Sequence, residues 1–527
     1  MDKKRNVTAK NAALIVMSSI IVSRIIGFVR TMLIPNKIGA NEVGDAYIIA
    51  FKLPDLMSDL LIGGAIAAAL VPVLSGYIVK NKEEEGWKAV STFMNIIFIA
   101  MIVFCVLGMI FAPNIIPFVA AGFKSDYQIK LTIKLTRILF PSVCFIMLAG
   151  FASGILNSYN KFFAASYGPC IYNIGCVMSI YFLSGTKGGV YSVAWGVTAS
   201  AFVYFMFQLS FAIKNMKFYR PKIYLNHEGF RKLFKLAVPS MIASSIVHIN
   251  GMISSSFSSL FGKGSVMAFE MADRVWQMPY GVFAQGIATA ILPSLSAKIA
   301  VGKVDEFKRT WIRSLKVVLM ITIPAAIGLI ILRHDIMRAI FQFKNKQVDD
   351  NFINLSSSVL MYFALAVITQ SLVIIINRAF YAYNDTKTPL YVGSSTILLN
   401  MGLSYIFCNY TNLNIAGMAL SYLIASLVNA TILFRLFNKR IGKLIDNDVL
   451  GFCKKIIIGS FVMAFCLQLA KYFTPVVGTT KLLQFIDLLK NVSFGIIAYF
   501  IFIWCMKVDE VREIMDIILR KVKLKRA

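Results

Sequence analysis

Long apolar stretches recur about fourteen times along this chain of 527 residues, and each approaches or exceeds twenty residues. At a rise of ~1.5 Å per residue, about twenty helical residues cross the ~30 Å hydrocarbon layer of a bilayer. The stretches fall near 12–34, 44–79, 88–112, 131–157, 161–184, 189–213, 229–256, 264–299, 309–331, 353–382, 386–408, 413–436, 451–472 and 483–506. Only 15% of residues are charged and 58% are hydrophobic, with mean hydropathy +0.72, whereas a soluble domain has about a quarter of its residues charged. In lipid every backbone N–H and C=O must be satisfied internally, which leaves helices or a closed barrel. These stretches lack the alternation of barrel strands. The expected fold is therefore an all-α polytopic membrane protein. The second and eighth stretches exceed one straight span, so they are expected to protrude or bend.

The balance of 54 Lys+Arg against 25 Asp+Glu gives a net charge of +29. In a soluble protein that excess would suggest nucleic acid. Here it is concentrated in short connections, which points to topology and contact with anionic membrane lipids and leaves nucleic acid aside. The connection after the sixth span carries Lys214, Lys217, Arg220, Lys222, Arg231, Lys232 and Lys235 against Glu228. Lys439, Arg440 and Lys443 follow the twelfth span, and Arg520, Lys521, Lys523, Lys525 and Arg526 lie in the tail. The opposite connections are short or balanced. The positive-inside rule then places both termini in the cytoplasm, as an even number of spans requires. The basic start MDKKRNVTAKN leads into an apolar stretch that runs through Arg24 without a small-residue cleavage site, so it reads as a retained span.

Eight cysteines lie mostly inside apolar runs and form no CxxC, and His227, His248 and His334 are scattered. No disulfide framework or metal site is expected. No P-loop or Ser/His/Asp arrangement is present, so the chain reads as a secondary transporter and not an enzyme. The expected driving force is an ion gradient or the membrane potential, with sodium or protons as candidate ions and no bound cofactor.

An internal repeat is visible. Gly64–Ser75 (GAIAAALVPVLS) resembles Gln285–Ser296 (QGIATAILPSLS) at an offset of 221, and Leu156–Lys161 (LNSYNK) resembles Phe380–Asp385 (FYAYND) at an offset of 224. Similar offsets across six spans imply two parallel six-helix lobes around a central cleft, with two extra C-terminal helices. The expected organisation is an N-lobe over 1–213, a basic cytoplasmic linker over 214–235, a C-lobe over 229–440, spans 13 and 14 within 441–506, and a cytoplasmic tail over 507–527. In that tail Val508, Val511, Met515, Ile518 and Val522 recur at helical spacing, as in an amphipathic helix on a membrane surface.

Charges inside spans cost several kcal/mol and default to function. The first span places Arg24 and Arg30 six residues apart with Gly27 between them, where a neighbour or ligand could approach closely. A guanidinium stays charged when buried and offers a fixed fork of donors to phosphate oxygens. The alternatives are a structural ion pair for Arg24 and interfacial anchoring for Arg30. The second span carries Asp45, Lys52, Asp55 and Asp59, with Pro54 interrupting the ladder; a salt-bridge cluster and a binding role both fit. The eighth repeats the theme with Glu270, Asp273 and Arg274 ahead of Pro279 and Gly281. Arginines from both lobes converging on a cleft would accommodate a polyanion such as a diphosphate. Arg137 and Arg378 are further candidates. From the residues alone the reading ends at an anion-handling secondary transporter.

SRIIGFVR (23–30), GDAYIIAFKLPDLMSDLL (44–61), ALVPVLSGY (69–77), ADRVWQMPYGVFAQGIATAILPSLS (272–296) and RAFYAYNDTKTP (378–389) resemble the MurJ (MviN) lipid II flippase family. That family sits within the multidrug/oligosaccharidyl-lipid/polysaccharide exporter superfamily. The resemblance, from about residue 10 to 505, implies fourteen transmembrane helices and a two-lobed cleft in the bacterial cytoplasmic membrane. It also implies transport of lipid II, the undecaprenyl-linked peptidoglycan precursor for the cell wall and cell shape, to the outer leaflet by alternating access. By the same resemblance Arg24, Arg30 and Arg274 match essential arginines that would grip the diphosphate, and Asp45 matches an acid of the second helix. Lys52, Asp59 and Asp273 complete the expected substrate-binding set. Spans 13 and 14 would line a groove for the lipid tail, and cell-wall assembly proteins are candidate partners. Two positions depart from the family pattern: Thr31 stands where an acid is common, and Ser58-Asp59 where an arginine follows the LPxL motif. Alternative readings are a flippase for another undecaprenyl-linked oligosaccharide or a drug/cation antiporter.

Overall fold

The computed structural model describes residues 2–58, 69–343, 347–442, 446–473, 481–508 and 510, with side chains from Leu14 onward except 239–240 and 242–247. Helices dominate, and no strand occurs among the described residues. In chain order they are α1 (Asp2–Lys37), α2 (Glu42–Ser58), α3 (Val71–Val79), α4 (Glu83–Val119), α5 (Asp126–Ser158), α6 (Phe162–Leu183), α7 (Gly189–Ala212), α8 (Glu228–Ser259) and α9 (Ser265–Pro279). They continue with α10 (Gly286–Ala300), α11 (Val304–Ile331), α12 (Arg333–Phe341), α13 (Asp350–Ala382), α14 (Lys387–Tyr410), α15 (Ala416–Ile441), α16 (Asn447–Phe473) and α17 (Lys481–Cys505). Eleven membrane-spanning candidates by length and hydropathy occur among the described residues, α9 and α10 counting together as one. Each of the fourteen predicted stretches falls on a helix or a helix pair. The second is divided into α2 and α3, with 59–68, including Asp59 and the start of the Gly64 repeat, outside the described residues. The eighth passes from α9 through a π-helical turn, Tyr280–Gln285, into α10. Pro279 lacks the N–H that a regular ladder would use there, and a wider turn absorbs the loss.

The chain divides into two compact units, residues 1–267 and 268–527. In the first, a core gathers around Trp87, Phe93, Phe140 and Phe151. Trp87 Nε1 donates to the Tyr159 hydroxyl at 3.0 Å, so the indole nitrogen is satisfied despite full burial. α6 and α7 pack through small residues. A Cβ on Gly175 would sit 2.5 Å from Ser200 Oγ, and one on Gly196 2.5 Å from Ser179 Oγ. Close backbone approach of this kind replaces the hydrophobic drive that lipid cannot supply. In the second unit Phe307, Trp311, Phe380 and Phe437 form the corresponding core, with Trp311 Nε1 donating to the carbonyl of Ile375 at 3.1 Å.

The internal repeat is written into the helix ends. α5 stops with Asn160 at φ 58° and Lys161 N–H donating back to the Leu156 carbonyl at 2.8 Å. α13 stops with Asn384 at φ 59° and Asp385 N–H donating to Phe380 at 3.0 Å. Both are Schellman endings, in which a left-handed residue turns the chain and satisfies a last-turn carbonyl. The ends of α3 and α10 form a second matched pair. Asn81 and Gly302 are left-handed there, with Lys82 N–H donating to Tyr77 and Lys303 N–H to Lys298, each at 3.0 Å.

Candidate functional site

In the first unit, α1 lies along α6 through polar contacts. Ser18 Oγ is 2.9 Å from the Tyr167 hydroxyl, and Asn173 Nδ2 donates to Ser23 Oγ at 3.3 Å. No neighbouring helix makes the close approach expected at Gly27, since the nearest atom to an added Cβ would be Asn173 Nδ2 at 3.8 Å. Thr31 donates its hydroxyl to the Gly27 carbonyl at 3.0 Å. Arg24 is exposed and makes no ion pair among the described residues. Six residues on, at 100° per residue, Arg30 points about 120° away around the helix. It is half-buried, with its guanidinium 5.6 Å from the Phe51 ring centroid and 5.7 Å from that of Tyr172. Two aromatic faces thus hold this cation where a carboxylate would otherwise neutralise it. Tyr47, one helical turn from Phe51, is fully buried and its hydroxyl has no hydrogen-bond partner among the described residues. Sequence reasoning missed Phe51 and Tyr172, because nothing along the chain shows which span aromatics face an arginine.

Asp45 lies in the first turn of α2, wholly buried. Its Oδ2 accepts the N–H of Gly264 at 2.6 Å and its Oδ1 that of Met267 at 2.8 Å. Beside it Lys263 pairs with Glu42 at 2.5 Å. The carboxylate therefore serves the otherwise unpaired N–H groups at the start of α9. Lys52 is half-buried further along α2, and Asp55 is exposed.

In the second unit, Arg274 donates from Nη2 and Nε to one oxygen of Glu270, at 2.7 and 3.1 Å. Its side chain stays 54% exposed while Glu270 is 12% exposed, so the cation is tethered from its root by the buried acid. Asp273 is bound on both oxygens, by Trp276 Nε1 at 2.9 Å and Gln277 Nε2 at 2.6 Å. Trp276 is stacked on Phe363, with centroids 5.7 Å apart, and flanked by Tyr280 and Tyr422. That aromatic cluster gives α9 a rigid seat and was not legible as a site. Near the end of α13, Arg378 has a buried Nε without a partner among the described residues and its guanidinium 5.9 Å from the Tyr381 ring. The expected residues thus differ in state: Arg24 is exposed, Arg30 lies against two aromatic rings, Arg274 is paired with Glu270, and Asp45 and Asp273 are engaged by backbone or side-chain donors.

The sequence matches the family model described as "Lipid II flippase MurJ" over residues 34–486. The chain belongs to the MurJ lipid II flippase family. It is 29% identical over 480 residues to the probable lipid II flippase MurJ of Buchnera aphidicola subsp. Acyrthosiphon pisum, covering 90% of this chain and 92% of the relative. It is 28% identical over 438 residues to the lipid II flippase MurJ of Burkholderia cenocepacia, covering 81% and 84%. A solved structure, "Lipid II flippase MurJ, inward closed conformation", superposes with a TM-score of 0.75 at 27% identity, over 93% of this chain and 98% of that one. An inward-facing multidrug resistance MATE family transporter of the MOP superfamily shares the fold at TM-score 0.68 and 17% identity, over 81% of this chain and 98% of that one. Membership makes this a multi-pass membrane transporter.

Proposed function

We propose that this chain is a lipid II flippase that carries the undecaprenyl-linked precursor from the inner to the outer leaflet by alternating access. Arg24 and Arg30 in the N-lobe and Arg274 in the C-lobe engage the diphosphate. The observation that carries the reading is the state of Arg24: a span arginine, exposed on α1, with no carboxylate partner among the described residues. A permanent charge left open inside a membrane span is costly unless an anion visits it. Lys52 and Asp59 belong to the same reading as headgroup contacts, while Asp45 and Asp273 shape the cationic positions around them. The lobes are 1–213 and 229–440, joined by the basic linker, with spans 13 and 14 offering a groove to the polyprenyl tail. Both termini lie in the cytoplasm, the membrane is the bacterial plasma membrane, and an ion gradient or the membrane potential drives the cycle. The linker lysines and arginines rest on anionic lipid of the inner leaflet.

Complementation of a flippase-depleted strain tests this. Arg24→Ala and Arg274→Ala should each abolish rescue at unchanged protein level. Normal growth with both changes would sink the reading.

A further inference from the structure

α5 packs against α2, α4 and α7, and near its N-terminal end one stripe remains uncovered. Lys130, Lys134 and Arg137 are exposed there at i, i+4 and i+7, so they share a face. The flanking helices expose apolar side chains, Ile110 and Phe111 on α4 and Trp195 and Phe202 on α7, as a surface against lipid does. Lys130 is paired with Asp126 at 2.6 Å. Lys134 and Arg137 have no acidic partner among the described residues.

Arg137 is held in place by an unusual acceptor. Its Nε donates to the carbonyl of Met109 at 2.9 Å. In a regular helix that carbonyl would accept the N–H of residue 113, but residue 113 is proline and has none. The proline thus frees an acceptor on α4, and the arginine of α5 satisfies it with one donor. Four guanidinium N–H groups remain, fixed in direction and unpartnered among the described residues.

Depth decides what they can reach. α5 has 33 residues, about 50 Å at ~1.5 Å per residue, against a hydrocarbon layer of ~30 Å. Roughly 10 Å of helix then projects at each end, and Arg137, three turns from Asp126, starts only several ångström below the boundary. Helical side chains lean toward their own N-terminus, here toward the membrane surface, so the long arginine stem brings its charge to the level of the headgroups. Exposed Tyr127 at the same end suits that interface.

We propose that Lys134 and Arg137 form a binding site for the phosphate of an anionic phospholipid, in the leaflet reached by the α4–α5 connection. It lies at the opposite end of α4 from the basic linker, on the surface turned toward lipid, and does not depend on what the transporter carries.

Native mass spectrometry of the full chain, extracted with phosphatidylglycerol in a phosphatidylcholine background, tests the site. Wild type should retain phosphatidylglycerol over phosphatidylcholine. Removing a basic group near the membrane surface costs ~1 kcal/mol, about fivefold in binding, so the Lys134→Gln/Arg137→Gln protein should lose more than tenfold. Exposed Lys134→Gln alone gives a fivefold loss should the double variant fail to fold, and Lys80→Gln/Lys82→Gln, exposed in the α3–α4 turn, should leave retention unchanged. Retention unchanged in the Lys134 and Arg137 variants, equal retention of phosphatidylcholine, or displacement by millimolar inorganic phosphate would overturn the proposal.

Discussion

The carboxylate of Asp45 accepts the backbone N–H of Met267 at 2.8 Å, while its second oxygen takes the N–H of Gly264 at 2.6 Å. Both bonds are charge-assisted and buried, so losing the anion leaves donors at the start of α9 short of acceptors. Asp45→Asn keeps one carbonyl oxygen and should cost about 1–3 kcal/mol. Thermal unfolding in detergent should show a lower Tm, with lipid II affinity of the folded fraction unchanged. A normal Tm with lost affinity would instead make Asp45 a substrate contact.

Arg24 and Arg30 should separate in the same assay. Arg24 makes no ion pair among the described residues, so Arg24→Ala should leave stability within about 0.5 kcal/mol of wild type while lipid II binding falls. Arg30 lies within reach of the Phe51 and Tyr172 rings. Arg30→Ala should reduce stability by about 1–2 kcal/mol together with binding. Arg30→Lys should restore little, because a compact ammonium does not reproduce a planar guanidinium within reach of two rings.

This division was only partly legible in the chain. The arginines announced themselves because a charge within an apolar run is conspicuous by composition alone. The partners of Arg30 did not: Phe51 and Tyr172 look like ordinary span aromatics until α1, α2 and α6 are assembled. Asp45 was legible as an intramembrane acid, yet its donors, Gly264 and Met267, lie more than two hundred residues away and are backbone groups. Side-chain patterns cannot report them. Helix positions were far more readable, since hydropathy senses the bilayer directly. The π-helical turn after Pro279 was foreseen only as excess length. The tail expected to form an amphipathic helix lies, beyond Glu510, outside the described residues.

The Tyr383-Asn384-Asp385 corner carries a pH dependence. Asp385 accepts the Thr388 N–H at 3.0 Å, the Thr388 hydroxyl at 2.9 Å and Arg440 Nη1 at 2.9 Å. These donors, the Thr388 amide first, hold its carboxyl below the usual carboxylate range. A pKa lower in the folded than the unfolded state gives stability that is present above the unfolded value, ~3.9, and lost as pH falls through the folded one. Wild-type Tm should drop on acidification below about pH 4. Asp385→Asn should start lower at pH 7 and lose less over the same interval. Parallel curves for the two proteins would show that this carboxylate carries no share of the acid sensitivity.

The paired helix ends offer a test of the repeat itself. Asn160 and Asn384 occupy left-handed backbone at φ 58° and 59°, a conformation that costs most residues with a Cβ about 1–2 kcal/mol and that asparagine tolerates better. Both positions close the same Schellman turn, so the same substitution should act alike at either one. Asn160→Ala and Asn384→Ala should each lower stability by about 1 kcal/mol, and the glycine variants should match or slightly exceed wild type. The two sites share no partner, so the double alanine variant should show the sum of the single effects. Denaturation of the four single variants and the double, at one detergent concentration, measures this. An alanine that stabilises at either corner would mean that the turn there is not the left-handed ending its backbone describes.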